Sequence, residues 1–172
     1  MASNIEVKAR LNDLSEAKKT AERLTDSAGQ KIVQRDTFFY CESGRLKLRE
    51  FLDGSGELIS YHRADTSEAA TSDYLIYQTE SATSLRETLA KTLHVKGEVR
   101  KSRYLYLSGR TRIHLDSVEG LGSYIELEVV LERDDDQKVA TQEATGLMRQ
   151  FGINQSDLVD VAYIDLLINA TG

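Results

Sequence analysis

No stretch of this sequence approaches the ~20 consecutive apolar residues that a membrane-spanning helix requires. The start, Met1-Ala2-Ser3-Asn4-Ile5-Glu6, reaches a charged residue at once and holds no apolar secretory core. Cys41 is the one cysteine, which excludes an internal disulfide. These absences point to a cytoplasmic protein with no membrane partner. A surplus of positive charge is also missing, for the formal net charge is −6. That argues against nucleic acid as a partner, because its binders present a basic face that displaces counterions from the phosphate backbone. Repeats and low-complexity segments are absent too. A length of 172 residues suits one domain over 1–172, and 40% hydrophobic with 29% charged residues is an ordinary globular balance.

What the sequence does contain is alternation. Asn4 to Arg10 alternates as a strand does. Asn12 or Asp13 can cap a helix to about Ser27, with Leu14, Ala17, Ala21 and Leu24 on one face. Lys31 to Tyr40 and Arg45 to Leu52 read as strands, and Asp53-Gly54-Ser55-Gly56 as the hairpin turn to a partner at Glu57 to Arg63. A further strand is predicted at Asp73 to Gln78 and a helix from Ala82 to Leu93. Glu98 to Leu107, Arg110 to Val118 and Leu121 to Arg133 follow, joined by turns so short that they must form antiparallel hairpins. After Asp134-Asp135-Asp136 the pattern predicts a helix to about Phe151. A last helical stretch carries Leu158, Val161, Ile164 and Leu167.

About eight strands with few helices make an α+β protein whose antiparallel sheet closes on itself, since closure removes exposed strand edges. Residues two apart share a strand face. Glu6, Lys8 and Arg10 therefore line up, as do Arg45, Lys47 and Arg49, and Arg112, His114 and Asp116. Glu126 and Glu128 stand opposite an apolar face of Ile125, Leu127 and Val129. Such polar faces ordinarily meet solvent. Several strands that each carry charges of both signs also suit a barrel with a charged interior.

Particular segments narrow the reading. Asn4-Ile5-Glu6-Val7-Lys8, Gln34-Arg35-Asp36-Thr37-Phe38-Phe39 and Leu46-Lys47-Leu48-Arg49 are three of them. Thr111 to Gly122 and Ile125-Glu126-Leu127-Glu128 are the others. Together they resemble the CYTH family of triphosphate tunnel proteins, which includes class IV adenylyl cyclases, thiamine triphosphatases and inorganic tripolyphosphatases. The late segments are most similar to the cyclase-like branch. The resemblance covers nearly the whole chain and implies a closed eight-stranded antiparallel β-barrel, the triphosphate tunnel, with flanking helices. The family opens on Glu-x-Glu-x-Lys; this chain matches at Glu6 and Lys8 and departs at Asn4.

By that resemblance, Lys8, Lys47, Arg49 and Arg63 would line the tunnel with Lys101, Arg103 and Arg112 and neutralise a triphosphate or polyphosphate. Glu6, Glu126 and Glu128, assisted by Asp116, would hold Mg²⁺ or Mn²⁺, hard cations that prefer oxygen ligands. His114 reads as a hydrogen-bonded wall residue rather than a ligand. Phe38, Phe39, Tyr104 and Tyr106 read as packing, and Cys41 has no catalytic context.

The implied function is metal-dependent processing of a triphosphate, foremost as a phosphohydrolase acting on tripolyphosphate or a nucleoside triphosphate. A second reading is a class IV adenylyl cyclase that makes cyclic AMP and pyrophosphate from ATP. A third is a polyphosphate- or nucleotide-binding module without turnover, which the neutral Asn4 invites. Family thiamine triphosphatases pair a tyrosine on the second strand with a lysine on the fourth, places occupied here by Phe38 and Arg63. Arginine stays protonated and is a poor base, so that mechanism is disfavoured. No residue is singled out as catalytic, and a homodimer is left open.

Overall fold

The computed structural model describes residues 2–63 and 70–171. Within them, β1 is Ala2–Arg10, β2 Gln30–Phe39, β3 Arg45–Phe51 and β4 Gly56–Arg63. β5 is Ala70–Thr79, β6 Val95–Ser108, β7 Thr111–Val118 and β8 Gly122–Leu131. These eight strands close into one barrel in the order β1-β5-β4-β3-β2-β6-β7-β8, every pairing antiparallel. β8 returns to β1 with Lys8 opposite Glu126 and Glu6 opposite Glu128, which seals the sheet. The α+β barrel expected from the alternation is the fold observed.

Four helices flank it: α1 Leu14–Thr25, α2 Ala82–Ala90, α3 Gln137–Gln150 and α4 Tyr163–Thr171. Of the two caps open to α1, Asp13 takes the role, its carboxylate accepting the Glu16 N–H at 3.0 Å. Asp136 does the same for α3, accepting from Lys138 N at 2.8 Å. α1 buries Ala17 and Ala21, and α3 buries Ala140, Ala144 and Met148. These residues recur every four positions, which is one stripe of a helix. Their small side chains bring both helices close to the outer wall of β1, β7 and β8. There Ile113, Leu115, Ile125, Leu127 and Val129 are wholly buried beneath them. Each such side chain contributes about 1.5–3 kcal/mol by leaving water. This outer layer holds most of the apolar core and leaves the inner faces of the same strands to charged residues.

The last helical stretch is shorter than its apolar spacing predicts. Among the described residues, β5 pairs with β1 from Ala2 to Glu6. Further along β1 the chain ahead of α4 meets it: Val159 N donates to Lys8 O at 2.9 Å and Leu158 bridges Ala9. Backbone groups committed to a strand edge cannot also close helical turns, so α4 starts only at Tyr163. α2 likewise ends at Ala90 rather than Leu93. Among the described residues, no helix is long and apolar enough to cross a membrane.

Candidate functional site

The inward faces of the strands line a cavity of about 270 Å³. Lys8, Lys47, Arg49, Lys101, Arg103 and Arg112 all face it, brought together from β1, β3, β6 and β7. Arg63 ends β4, and its side chain lies outside the described residues. In the run Arg100 to Arg103, alternation turns Lys101 and Arg103 inward, both buried, and leaves Arg100 exposed.

Two buried Arg–Asp forks frame the cavity. Arg49 donates from Nε and a terminal nitrogen to Asp36, each at 2.9 Å, across β2 and β3. Arg103 grips Asp116 in the same way across β6 and β7 and sends a further bond of 3.0 Å to Glu126. Burial alone would raise the Asp36 carboxyl. The Arg49 guanidinium, with Lys47 and Lys101, outweighs it and holds the group far below the usual carboxylate range. For Asp116 the same contest, won by Arg103 and Lys101, leaves the carboxyl at about 2. Two lysines sit beside these forks, Lys47 at 3.5 Å from Asp36 and Lys101 at 3.6 Å from Asp116. Burial, reinforced by Arg103, pushes the Lys101 amine down to about 8, and Lys47 is pushed in the same direction by burial and Arg49.

The opposite wall carries the acids. Glu126 and Glu128 point inward from β8, His114 stands across β7 from Glu126, and Arg112 stands across from Glu128. Among the described residues, His114, Glu126 and Glu128 form the one group whose donor atoms all lie within 4.8 Å of one another. Both glutamates are held ionised. Burial opposes this, but Lys8 and Arg103 outweigh it at Glu126, and Arg112 and Arg103 do so at Glu128. Burial and the Arg103 guanidinium push His114 below its ordinary range, so the ring is neutral near pH 7. Glu6, opposite Glu128 on β1, lines the cavity outside that group. Asp116 also lies outside it, with both carboxylate oxygens taken by Arg103.

The residues fit a divalent cation. Two ionised carboxylates share the wall with buried polar atoms that have no hydrogen-bond partner, Asn4 Oδ1 and His114 Nδ1. Asn4 thus presents an amide oxygen, although not the charge, where the family's opening motif has its first acid.

One end of the cavity is floored by the segment that enters α4. Lys8 Nζ donates to Val161 O at 3.0 Å, and Tyr163 donates its hydroxyl to Asp116 at 3.0 Å. The Tyr163 ring lies 4.4 Å from Lys8 Nζ and 5.0 Å from Lys101 Nζ, within cation–π range. Asp165 ties the helix to Lys96 at 2.5 Å and to Arg45 at 3.8 Å. Sequence reasoning missed this floor, because nothing local in Tyr163 shows that it turns into the lumen. Asp36 was missed as well. Its signals were its place in the Gln34 to Phe39 segment that resembles the family and on the face shared with Gln34 and Phe38, both of which also line the cavity.

A model of the CYTH domain matches residues 2–163. No curated protein matches the chain. Among solved structures, the PH1012 protein from Pyrococcus horikoshii is similar with a TM-score of 0.82 at 22% identity, covering 95% of this chain and 98% of its own. A proposed adenylate cyclase from Vibrio parahaemolyticus is similar with a TM-score of 0.74 at 20% identity, covering 96% and 97%. Another, from Bacillus halodurans, has a TM-score of 0.60 at 17% identity and covers 96% and 98%. At these identities the likeness is one of fold.

Proposed function

This chain belongs to the CYTH domain family, and from that premise we propose that it is a divalent-metal-dependent phosphohydrolase acting on a triphosphate group held in the barrel lumen. The substrate is inorganic tripolyphosphate or a nucleoside triphosphate. The observation that carries this reading is the meeting, in one cavity, of seven Lys and Arg residues, Arg45 among them, with the ionised pair Glu126 and Glu128.

A triphosphate carries several negative charges on fixed oxygens. Arg49, Arg103 and Arg112 offer planar forks that match two such oxygens at once, while Lys8, Lys47 and Lys101 act as point charges between them. The cavity is lined by groups already held in place by Asp36, Asp116 and Tyr163, so little reorganisation is needed when charge shifts along the phosphate chain. Glu126 and Glu128, with Glu6 beside them, would hold Mg²⁺ or Mn²⁺. Held there, such an ion would supply positive charge to neutralise phosphate oxygens and would polarise the phosphoryl group toward attack by water.

A second reading is cyclisation of ATP to cyclic AMP and pyrophosphate, favoured by the likeness of Thr111 to Glu128 to the cyclase-like branch. It requires the base and ribose to be held as well as the phosphates. A cavity of about 270 Å³ stands at the small end of ligand sites, which begin near about 300 Å³. That size suits a phosphate chain better than a whole nucleotide and ranks hydrolysis first.

The test incubates the full chain with tripolyphosphate, ATP or thiamine triphosphate and Mg²⁺ or Mn²⁺, following phosphate, pyrophosphate and cyclic AMP beside Glu126→Gln/Glu128→Gln. Phosphate release from tripolyphosphate or ATP that falls on the order of 100-fold in the variant is the expected result. Cyclic AMP with equal pyrophosphate would put the second reading in its place. Saturable tripolyphosphate binding with no turnover would overturn both and leave a binding module.

A further inference from the structure

We propose that His114 is a nitrogen ligand of the cation held by Glu126 and Glu128, and that it biases the site toward Mn²⁺ over Mg²⁺. The inference rests on reading those two glutamates as the cation-holding pair and adds to it a donor of different chemistry.

The geometry is that of three donors around one point. His114 Nδ1 lies 3.9 Å from Glu126 Oε2 and 3.7 Å from Glu128 Oε1. Two atoms bound to one ion at ~2.1 Å can be no more than ~4.2 Å apart, and both separations fall inside that limit. Neither is a hydrogen bond, which needs donor and acceptor within ~3.2 Å. The ring is 5% exposed, and Nδ1 has no hydrogen-bond partner. A buried ring nitrogen without a partner is unfavourable unless something else meets it. At Glu128, Arg112 takes Oε2 and leaves Oε1 toward His114; at Glu126 the oxygen facing His114, Oε2, accepts one bond from Arg103 at 3.0 Å and keeps a second lone pair for a cation.

The donor set then decides the metal. Mg²⁺ favours an all-oxygen octahedron and gives up water reluctantly. Imidazole nitrogen raises affinity along the first-row series, in which Mn²⁺ already accepts mixed nitrogen and oxygen ligands. One imidazole beside two carboxylates therefore favours Mn²⁺, whereas the two carboxylates alone discriminate little.

The experiment uses Mn²⁺ itself as the probe. Electron spin echo modulation of Mn²⁺ on the full-length protein reports directly bound nitrogen, and selective ¹⁵N-histidine labelling assigns that nitrogen to a histidine without any substitution. The chain has 3 histidines, and His62 and His94 are exposed. The expected result is a ¹⁴N modulation that converts on labelling and disappears in His114→Gln. The ratio of the Mg²⁺ to the Mn²⁺ dissociation constant, from calorimetry, should drop about tenfold in that variant, a difference of about 1.4 kcal/mol. Mn²⁺ that binds the wild type, is lost in Glu126→Gln/Glu128→Gln and shows no histidine nitrogen would overturn this inference and leave the phosphohydrolase reading standing. Mn²⁺ that fails to bind, or binds regardless of the two glutamates, would overturn both.

Discussion

Arg103 and Asp116 stand directly opposite each other on β6 and β7 and close a two-pronged ion pair, 2.7 Å from Nε and 2.6 Å from a terminal nitrogen. Asp116 sees no solvent and Arg103 almost none. Arg49 and Asp36 repeat the arrangement on β3 and β2. The two forks tie the barrel wall from inside, and each leaves a lysine beside it.

Breaking such a pair strands a charge in a dry interior. Arg103→Ala leaves Asp116 with Lys101 at 3.6 Å and the Tyr163 hydroxyl, and it should cost about 3–5 kcal/mol. Asp116→Ala should cost less, because Arg103 keeps Glu126 at 3.0 Å. Urea unfolding of both single variants and the double variant should give a double-variant loss well below the sum of the singles. Additivity would mean the fork carries no coupling.

Lys101 makes phosphate binding depend on pH. Its amine is pushed down to about 8, below the ~10.4 of an unfolded lysine. It is therefore charged below about 8, and its attraction for phosphate is lost as pH rises through that value. Metal-free affinity for tripolyphosphate should fall several-fold between about pH 7 and pH 9, and Lys101→Arg should flatten most of that slope because arginine remains charged. A remaining slope belongs to Lys47, shifted the same way. Stability runs oppositely: the unfolded chain binds the extra proton between ~8 and ~10, so the lysine's penalty on folding shrinks as pH climbs through that window.

Acid should unfold the protein through Asp36 among others. Its carboxyl is held far below the unfolded value of ~3.9. It stabilises the fold above that value, and the contribution disappears as pH falls below it. Asp36→Asn should lower the urea midpoint at pH 7 and approach the wild type as pH drops from about 5 toward 2. A gap that stays constant with pH would show that the loss lies in packing rather than in charge.

The floor separates local from global stability. Tyr163→Phe keeps the ring against Lys8 and Lys101 but removes a hydrogen bond to an ionised carboxylate, worth about 1.5–3 kcal/mol. Asp165→Ala removes partly exposed ion pairs to Lys96 and Arg45, and global unfolding should move by no more than about 1 kcal/mol. Amide exchange within α4 should nevertheless quicken in Asp165→Ala, because both ion pairs that Asp165 makes tie that helix to the barrel strands.

Much of this molecule is legible in its sequence. Strand alternation is local, so the eight strands, their hairpins and the sharing of a face by Lys47 with Arg49 and by Glu126 with Glu128 follow from neighbours two residues apart, while the inward direction of those faces rested on the resemblance to the family. The caps at Asp13 and Asp136 are local in the same sense. Which charges meet is not. Arg49 with Asp36, Arg103 with Asp116 and His114 with Glu126 depend on register between strands, and alternation does not set the register. His114 read as a wall residue because nothing along its own strand shows that both glutamates of β8 converge on its ring. Asp116 reads from sequence as an assisting acid, and its fork with Arg103 becomes visible only in the barrel. Tyr163 lines the lumen from a segment that Val159 joins to β1 at Lys8, a contact between parts of the chain far apart in sequence. Sequence by itself determined the strands, their antiparallel hairpins and which charged residues share a face, since periodicity is carried by adjacent residues. Tertiary structure alone decided how those charges pair, since pairing is set by the closure of strands far apart in the chain.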